Sequence, residues 1–111
     1  MKIRKLLVLC ALSATLVSPS IGQAEGDPAA GQNKSSMCAG CHGIEGMRTV
    51  YPEVYSAPKL GGQNASYIVN ALSAYKSGAR KFATMRAIAH DLTDQDMADL
   101  AAYYSLAEAA K

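Results

Sequence analysis

The chain has 111 residues, 50% of them hydrophobic and 18% charged, with a formal net charge of +2. That composition suits one small domain, and no basic patch or stripe points to nucleic acid. Paired carboxylates, a nucleophile–base pair and a phosphate-binding loop are all missing from the pattern, which argues against hydrolytic or nucleotide chemistry.

Residues 1–24 read as a secretory signal. Lys2, Arg4 and Lys5 form a positive start, and residues 6–17 form an apolar run. Ser18-Pro19-Ser20 breaks that run, and Gly22-Gln23-Ala24 offers small residues for cleavage after Ala24. The apolar run falls short of the ~20 residues that span a bilayer. Cys10 lies inside it and is expected to leave with the signal, so Cys38 and Cys41 remain and no further disulfide pairing is available. Removal of the three basic residues leaves eight against nine acids, a formal −1. Residues 25–111 then form one domain, of a size that usually needs a staple.

Asp27-Pro28 reads as an N-cap followed by proline at the first helical position, which predicts a helix over 28–38. Gly31 lies in its first turn, where close approach by another helix would account for it. Cys38-Ala39-Gly40-Cys41-His42 follows. This C-x-x-C-H run is the attachment signature of a c-type haem. Two thiols at that spacing can form thioethers to the two vinyl groups, and the adjacent imidazole can reach the iron. A thioredoxin-like dithiol would need a βαβ pattern around the motif, and a zinc site would need two more ligands, with His90 the one strong candidate.

Residues 47–62 read as a loop carrying Pro52, Pro58, Gly61 and Gly62. Pro58 and Leu60 are its candidate haem-facing members, and Tyr51 and Tyr55 are candidate caps on the haem edge. Asn64 is the N-cap of a helix over 65–77, whose apolar stripe is Tyr67, Ile68, Ala71, Leu72 and Tyr75, and Gly78 ends it. The segment 79–92 is expected to be a short irregular stretch that carries a second iron ligand. Met85 is the leading candidate. His90 would give bis-histidine ligation but reads better as a surface residue. Met47 lies near the proximal side, Met97 on the core side of the last helix, and Met37 beside the wrong part of the motif. Thr93 with Asp96 forms a capping pattern for the last helix, with Met97, Leu100, Ala101 and Tyr104 on its apolar face. Asp94, Asp96 and Asp99 read as a solvated helix start. The fold class is therefore all-α, with three main helices and a short ligand segment wrapped around one haem; no strand pattern is visible.

With these residues in place, the chain resembles the class I cytochromes c, and most closely the short bacterial periplasmic kind related to cytochrome c-553 and to single halves of dihaem cytochrome c4. The resemblance spans nearly all of residues 26–107. Its marks are the haem motif, Pro58-Lys59-Leu60-Gly61-Gly62-Gln63, Lys76-Ser77-Gly78-Ala79-Arg80, Met85 and Leu92-Thr93-Asp94-Gln95-Asp96-Met97. It implies thioethers on Cys38 and Cys41, axial ligation by His42 and Met85, and a Pro58 carbonyl accepting the proton of the non-ligating His42 nitrogen. It also implies that Gly31 packs on the last helix near Tyr104, and that Arg80 pairs with a haem propionate. Ala83-Thr84 stand where the family often has a proline before the ligand methionine, and Ala71 stands where a glutamine is common.

The function implied is a periplasmic carrier of one haem c, passing single electrons between donor and acceptor redox proteins, among them a membrane oxidase or reductase or a flavoprotein. An alternative is a haem-bearing subunit of a periplasmic oxidoreductase, because Thr84-Met85-Arg86-Ala87-Ile88-Ala89 is similar to the cytochrome subunit of flavocytochrome c sulfide dehydrogenases. A five-coordinate haem that binds a gas or peroxide is a third reading, and it requires Met85 to be absent from the iron.

Overall fold

A computed structural model describes residues 24–50 and 54–106. The signal segment, Tyr51 and Pro52 lie outside the described residues, save that Ala24 is described. Five helices and one small ribbon make up the fold: α1 (Pro28–Lys34), α2 (Ser36–His42), β1 (Arg48–Thr49), β2 (Tyr55–Ser56), α3 (Ala65–Ser77), α4 (Ala83–His90) and α5 (Asp94–Tyr104).

Local chemistry accounts for four of the helix ends. The Asp27 carboxylate accepts from the Ala29 amide, with Pro28 at the first position of α1. The Asn64 side chain accepts from Tyr67 N at 3.1 Å, and α3 ends at Gly78, whose φ of +84° is a conformation few other residues adopt. Thr93 and Asp96 form a reciprocal capping box at the start of α5.

Three expectations need correction. The predicted helix 28–38 is two helices: the Ser35 hydroxyl bonds back to Gln32 O at 2.7 Å, competing with the backbone ladder, and the helix is interrupted at Ser35 before the chain continues as α2 to His42. The whole haem motif is thus helical. The stretch expected to be irregular contains α4, which carries Met85. The loop at 47–62 contains an antiparallel ribbon, Arg48 opposite Ser56 and Thr49 opposite Tyr55, too short to show any alternation in sequence.

Helix α5 is the centre of the packing. It lies against α1 and α3, and α3 in turn holds α4. Ile68 of α3 joins Leu100, Ala101 and Tyr104 of α5 in the core, with Cys38 and Leu60 packed against them. The approach of α1 to α5 is very close. A Cβ on Gly31 would sit 2.0 Å from the Asp99 carbonyl oxygen and 2.8 Å from Tyr103 Cβ. The expected close approach is therefore present, centred on Asp99 and Tyr103.

Asp99 is not solvated, contrary to the sequence reading. It is 3% exposed and accepts from Asp27 N (2.9 Å), Lys34 Nζ (2.6 Å) and Gln95 Nε2 (2.8 Å). Lys34 also reaches Asp96 at 2.7 Å, so one cation joins α1 to two carboxylates of α5. The hydrogen bond from Asp27 N, then those from Lys34 and Gln95, pull Asp99 from an ordinary 3.8 to about 2. Hydrogen bonds from Lys34 and Thr93 hold Asp96 well below the carboxylate range, and Lys34 is raised in return by its bonds to Asp96 and Asp99.

Two predictions follow from this helix pair. Gly31→Ala forces backbone against backbone and should cost on the order of 3 kcal/mol, read as a lowered denaturant midpoint. Because Asp99 and Asp96 have lower proton affinity folded than unfolded, their contribution is complete above about pH 4 and is lost as pH falls toward 2. Urea midpoints measured from pH 5 to 2 should fall steeply in the parent protein, and the fall should be shallower in Asp99→Asn.

Candidate functional site

One cavity, of about 340 Å³, gathers residues from every helix and from the loop between α2 and α3. That volume lies within the range of small-molecule and cofactor sites. Cys38, Cys41 and His42 enter from α2, and Met85 enters from α4. Helix α2 continues from α1 and α4 packs on α3, so the two groups approach the cavity from different supports. Leu60, Ile68, Leu72, Ile88 and Leu100 supply apolar wall, and Lys59 and Arg80 supply positive charge.

Cys38 and Cys41 are both half-buried and are not bonded to one another. Burial pushes the Cys38 thiol up, against a smaller opposing effect of its contact with the Tyr104 hydroxyl. Tyr104 is itself 5% exposed and is pushed up to about 12, chiefly by burial and next by the charge of Cys38. A thiol held neutral in an apolar wall is a poor metal ligand and a weak nucleophile until a base or partner takes its proton.

His42 is oriented by the loop. Its Nδ1 lies 2.6 Å from the Pro58 carbonyl oxygen. A carbonyl can only accept, so Nδ1 carries the proton and Nε2 presents its lone pair. This arrangement of a ring nitrogen anchored on a backbone carbonyl is the usual support of a metal-ligating histidine. Leu60, two residues beyond Pro58, packs on the core, which fixes the segment carrying that carbonyl. The Gly62 amide bonds to Tyr104 O at 2.9 Å and ties the same segment to the end of α5.

The remaining candidates separate clearly. Met97 is 1% exposed in the core, where its sulfur accepts from the Ser73 hydroxyl at 3.5 Å. Met47 is half-buried and does not line the cavity. His90 is exposed on the far end of α4, with Nδ1 2.8 Å from an Asp91 carboxylate oxygen, and also lies outside the cavity. Arg80 lines the cavity with its guanidinium 4.7 Å from the centre of the Tyr75 ring, a cation–π contact that fixes its direction. Among the cavity residues that sequence reasoning missed are Met37, 69% exposed at its edge, Ile88, and Phe82, which pairs with Tyr55. Nothing in the local pattern around Phe82 marked it.

Among the described residues, no three His, Cys, Asp and Glu side chains are placed together to hold a metal ion. A structural zinc centre of four such ligands thus has no support in this part of the chain. The donor set suits a flat apolar macrocycle instead: two thiols and an imidazole on one helix, a thioether on another, apolar wall between, and cations for carboxylates at the rim.

A family model for cytochrome c matches residues 28–105, which include every residue of this site. The chain belongs to the cytochrome c family. It is 42% identical over 88 residues to cytochrome c-554(548) of Halomonas halodenitrificans, an alignment covering 75% of this chain and 99% of that one. It is 39% identical over 98 residues to cytochrome c4 of Pseudomonas aeruginosa, covering 88% of this chain and 47% of the relative. The crystal structure of reduced recombinant cytochrome c4 from Pseudomonas stutzeri superposes with a TM-score of 0.58 at 37% identity, covering 72% of this chain and 45% of that one. The chain therefore spans nearly all of the first relative and about half the length of the cytochrome c4 chains. It is a c-type cytochrome of the c4-like kind, an electron-transfer protein rather than an enzyme, and family membership implies covalently bound haem c.

Substituting both thiols tests the attachment. A cytochrome with Cys38→Ala and Cys41→Ala, made in a host competent for haem attachment, should run without haem stain on a denaturing gel, whereas the parent stains.

Proposed function

We propose that this cytochrome binds one haem c through Cys38 and Cys41, with His42 and Met85 as axial ligands, and carries single electrons between redox proteins in the periplasm. The observation that carries this reading is the cavity that gathers Cys38, Cys41, His42 and Met85, with His42 oriented by the Pro58 carbonyl at 2.6 Å. Residues 1–24 act as the export signal, and 25–111 form the functional domain. No helix among the described residues is long and apolar enough to cross a membrane.

Haem c supplies a one-electron Fe(II)/Fe(III) couple. The residues of the chain decide how that couple behaves. Hydrogen bonding of His42 Nδ1 to Pro58 holds the ring in one orientation and raises the basicity of Nε2. The Met85 thioether, a soft neutral donor, favours the reduced iron and raises the potential relative to an anionic or second nitrogen ligand. Were His42 and Met85 both to hold the iron, the chain would leave no open position there for a substrate, and the apolar wall of Leu60, Ile68, Leu72, Ile88 and Leu100 would keep water away from it. Arg80, which lines the site, would serve as a counter-charge for a propionate, whereas the Lys59 ammonium is paired with Glu45 at 3.4 Å. Exposed Tyr67 and Met37 at the cavity edge present apolar surface through which a donor or acceptor protein can make brief contact.

Visible spectra of the purified holoprotein test the ligation. The reduced form should show sharp c-type bands and no response to carbon monoxide, and the oxidised form should show the weak long-wavelength band of a methionine–iron bond. Met85→Ala should lose that band and bind carbon monoxide. A carbon monoxide response in the parent would move the protein to the sensing or catalytic reading.

A further inference from the structure

Helix α4 is held unevenly. Its buried residue is Ala89, near its C-terminal end and 0% exposed, and the following turn is tied by Leu92 N to Ala89 O and by Lys76 Nζ to Leu92 O. Its N-terminal turn, which carries Met85, has much less support. Phe82 stands at the N-cap with an extended backbone and no side chain to satisfy the free amides. Ala83 and Arg86 are exposed, and Thr84 and Met85 are half-buried.

What meets this turn from the other side is a ring. The Tyr55 and Phe82 centroids lie 5.0 Å apart with an interplanar angle of 35°, and both rings line the cavity. Tyr55 is 51% exposed, and its backbone is held in β2, paired with Thr49, whose hydroxyl donates to Tyr55 O at 3.2 Å. Three residues further on, the Pro58 carbonyl holds His42. A single short segment therefore supports the imidazole directly and the turn of Met85 through a ring pair.

We propose that the Tyr55–Phe82 pair is a clasp that positions Met85, closing the N-terminal turn of α4 onto the cavity so that the thioether outcompetes exogenous ligands for the iron. Tyr55 and Phe82 are positioning residues here, since neither is placed on the metal. The inference rests on Met85 ligation as proposed above. It assigns the ring of Tyr55, not its hydroxyl, as the working part, because the ring makes the contact with Phe82.

The experiment is imidazole binding to the oxidised holoprotein, followed by the Soret shift, in a cycle with Met85→Ala. An aromatic pair of this kind predicts that Tyr55→Ala binds imidazole roughly 2- to 10-fold more tightly than the parent. Tyr55→Phe should match the parent, and Phe82→Leu should resemble Tyr55→Ala. In the Met85→Ala background the Tyr55→Ala change should have no further effect. Unchanged affinity in Tyr55→Ala would overturn the clasp while leaving the ligation intact. An equal increase in both backgrounds would also overturn it, showing that the rings merely block entry. If Met85→Ala itself leaves imidazole affinity unchanged, the ligation fails and the clasp fails with it.

Discussion

Gly31 rests on the backbone of α5 so closely that no side chain fits between them. Everything that reaches the site from the N-terminal side depends on that contact. Helix α1 is seven residues long and could not persist alone. It is held by the approach at Gly31 and by Lys34 and Asp27 bonding to the buried Asp99 carboxylate. Once α1 is fixed, the chain passes through Ser35 straight into α2, which carries the two thiols and the imidazole. The buried carboxylate is satisfied by three donors, which is the condition for such a group to stabilise rather than strain the interior.

The interior of this domain is small, and its walls are shared with the site. Ile68, Leu100 and Tyr104 belong both to the core and to the lining of the cavity. Cofactor packing and folding are then one process, as expected for a small domain with no disulfide among its described residues. The same sharing explains why a single loop does several jobs. Between Tyr55 and Gly62 it touches Phe82, His42, the core and the end of α5.

Much of this was legible in the sequence because it is local chemistry. The caps at Asp27, Asn64 and Thr93 and the stop at Gly78 are bonds between a residue and its own neighbours. The haem motif is marked by residue type and spacing, whereas the contact of the Pro58 carbonyl with His42 was implied only by the resemblance to class I cytochromes c. What escaped depends on distance along the chain. Asp99 looked solvated because its partners lie at sequence separations of 72 and 65. Helix α4 looked irregular because Phe82 gives no capping signal. The ribbon has two residues per strand, too few for any period. Gly31 was readable only as a question: a glycine in a helix asks for a close neighbour but does not say which carbonyl it will meet.

The account stands or falls on whether Met85, brought to the cavity on a helix supported mainly by α3, is bonded to iron in the working protein. Proton NMR of the reduced holoprotein addresses this most directly. A methyl group held over the porphyrin plane is shifted far upfield of all other protein resonances by the ring current. We predict one such methyl resonance, assigned to Met85 by its loss in Met85→Ala while the fold remains intact. Its absence from the parent spectrum, or its persistence in the variant, would contradict the ligation on which the electron-transfer reading is built.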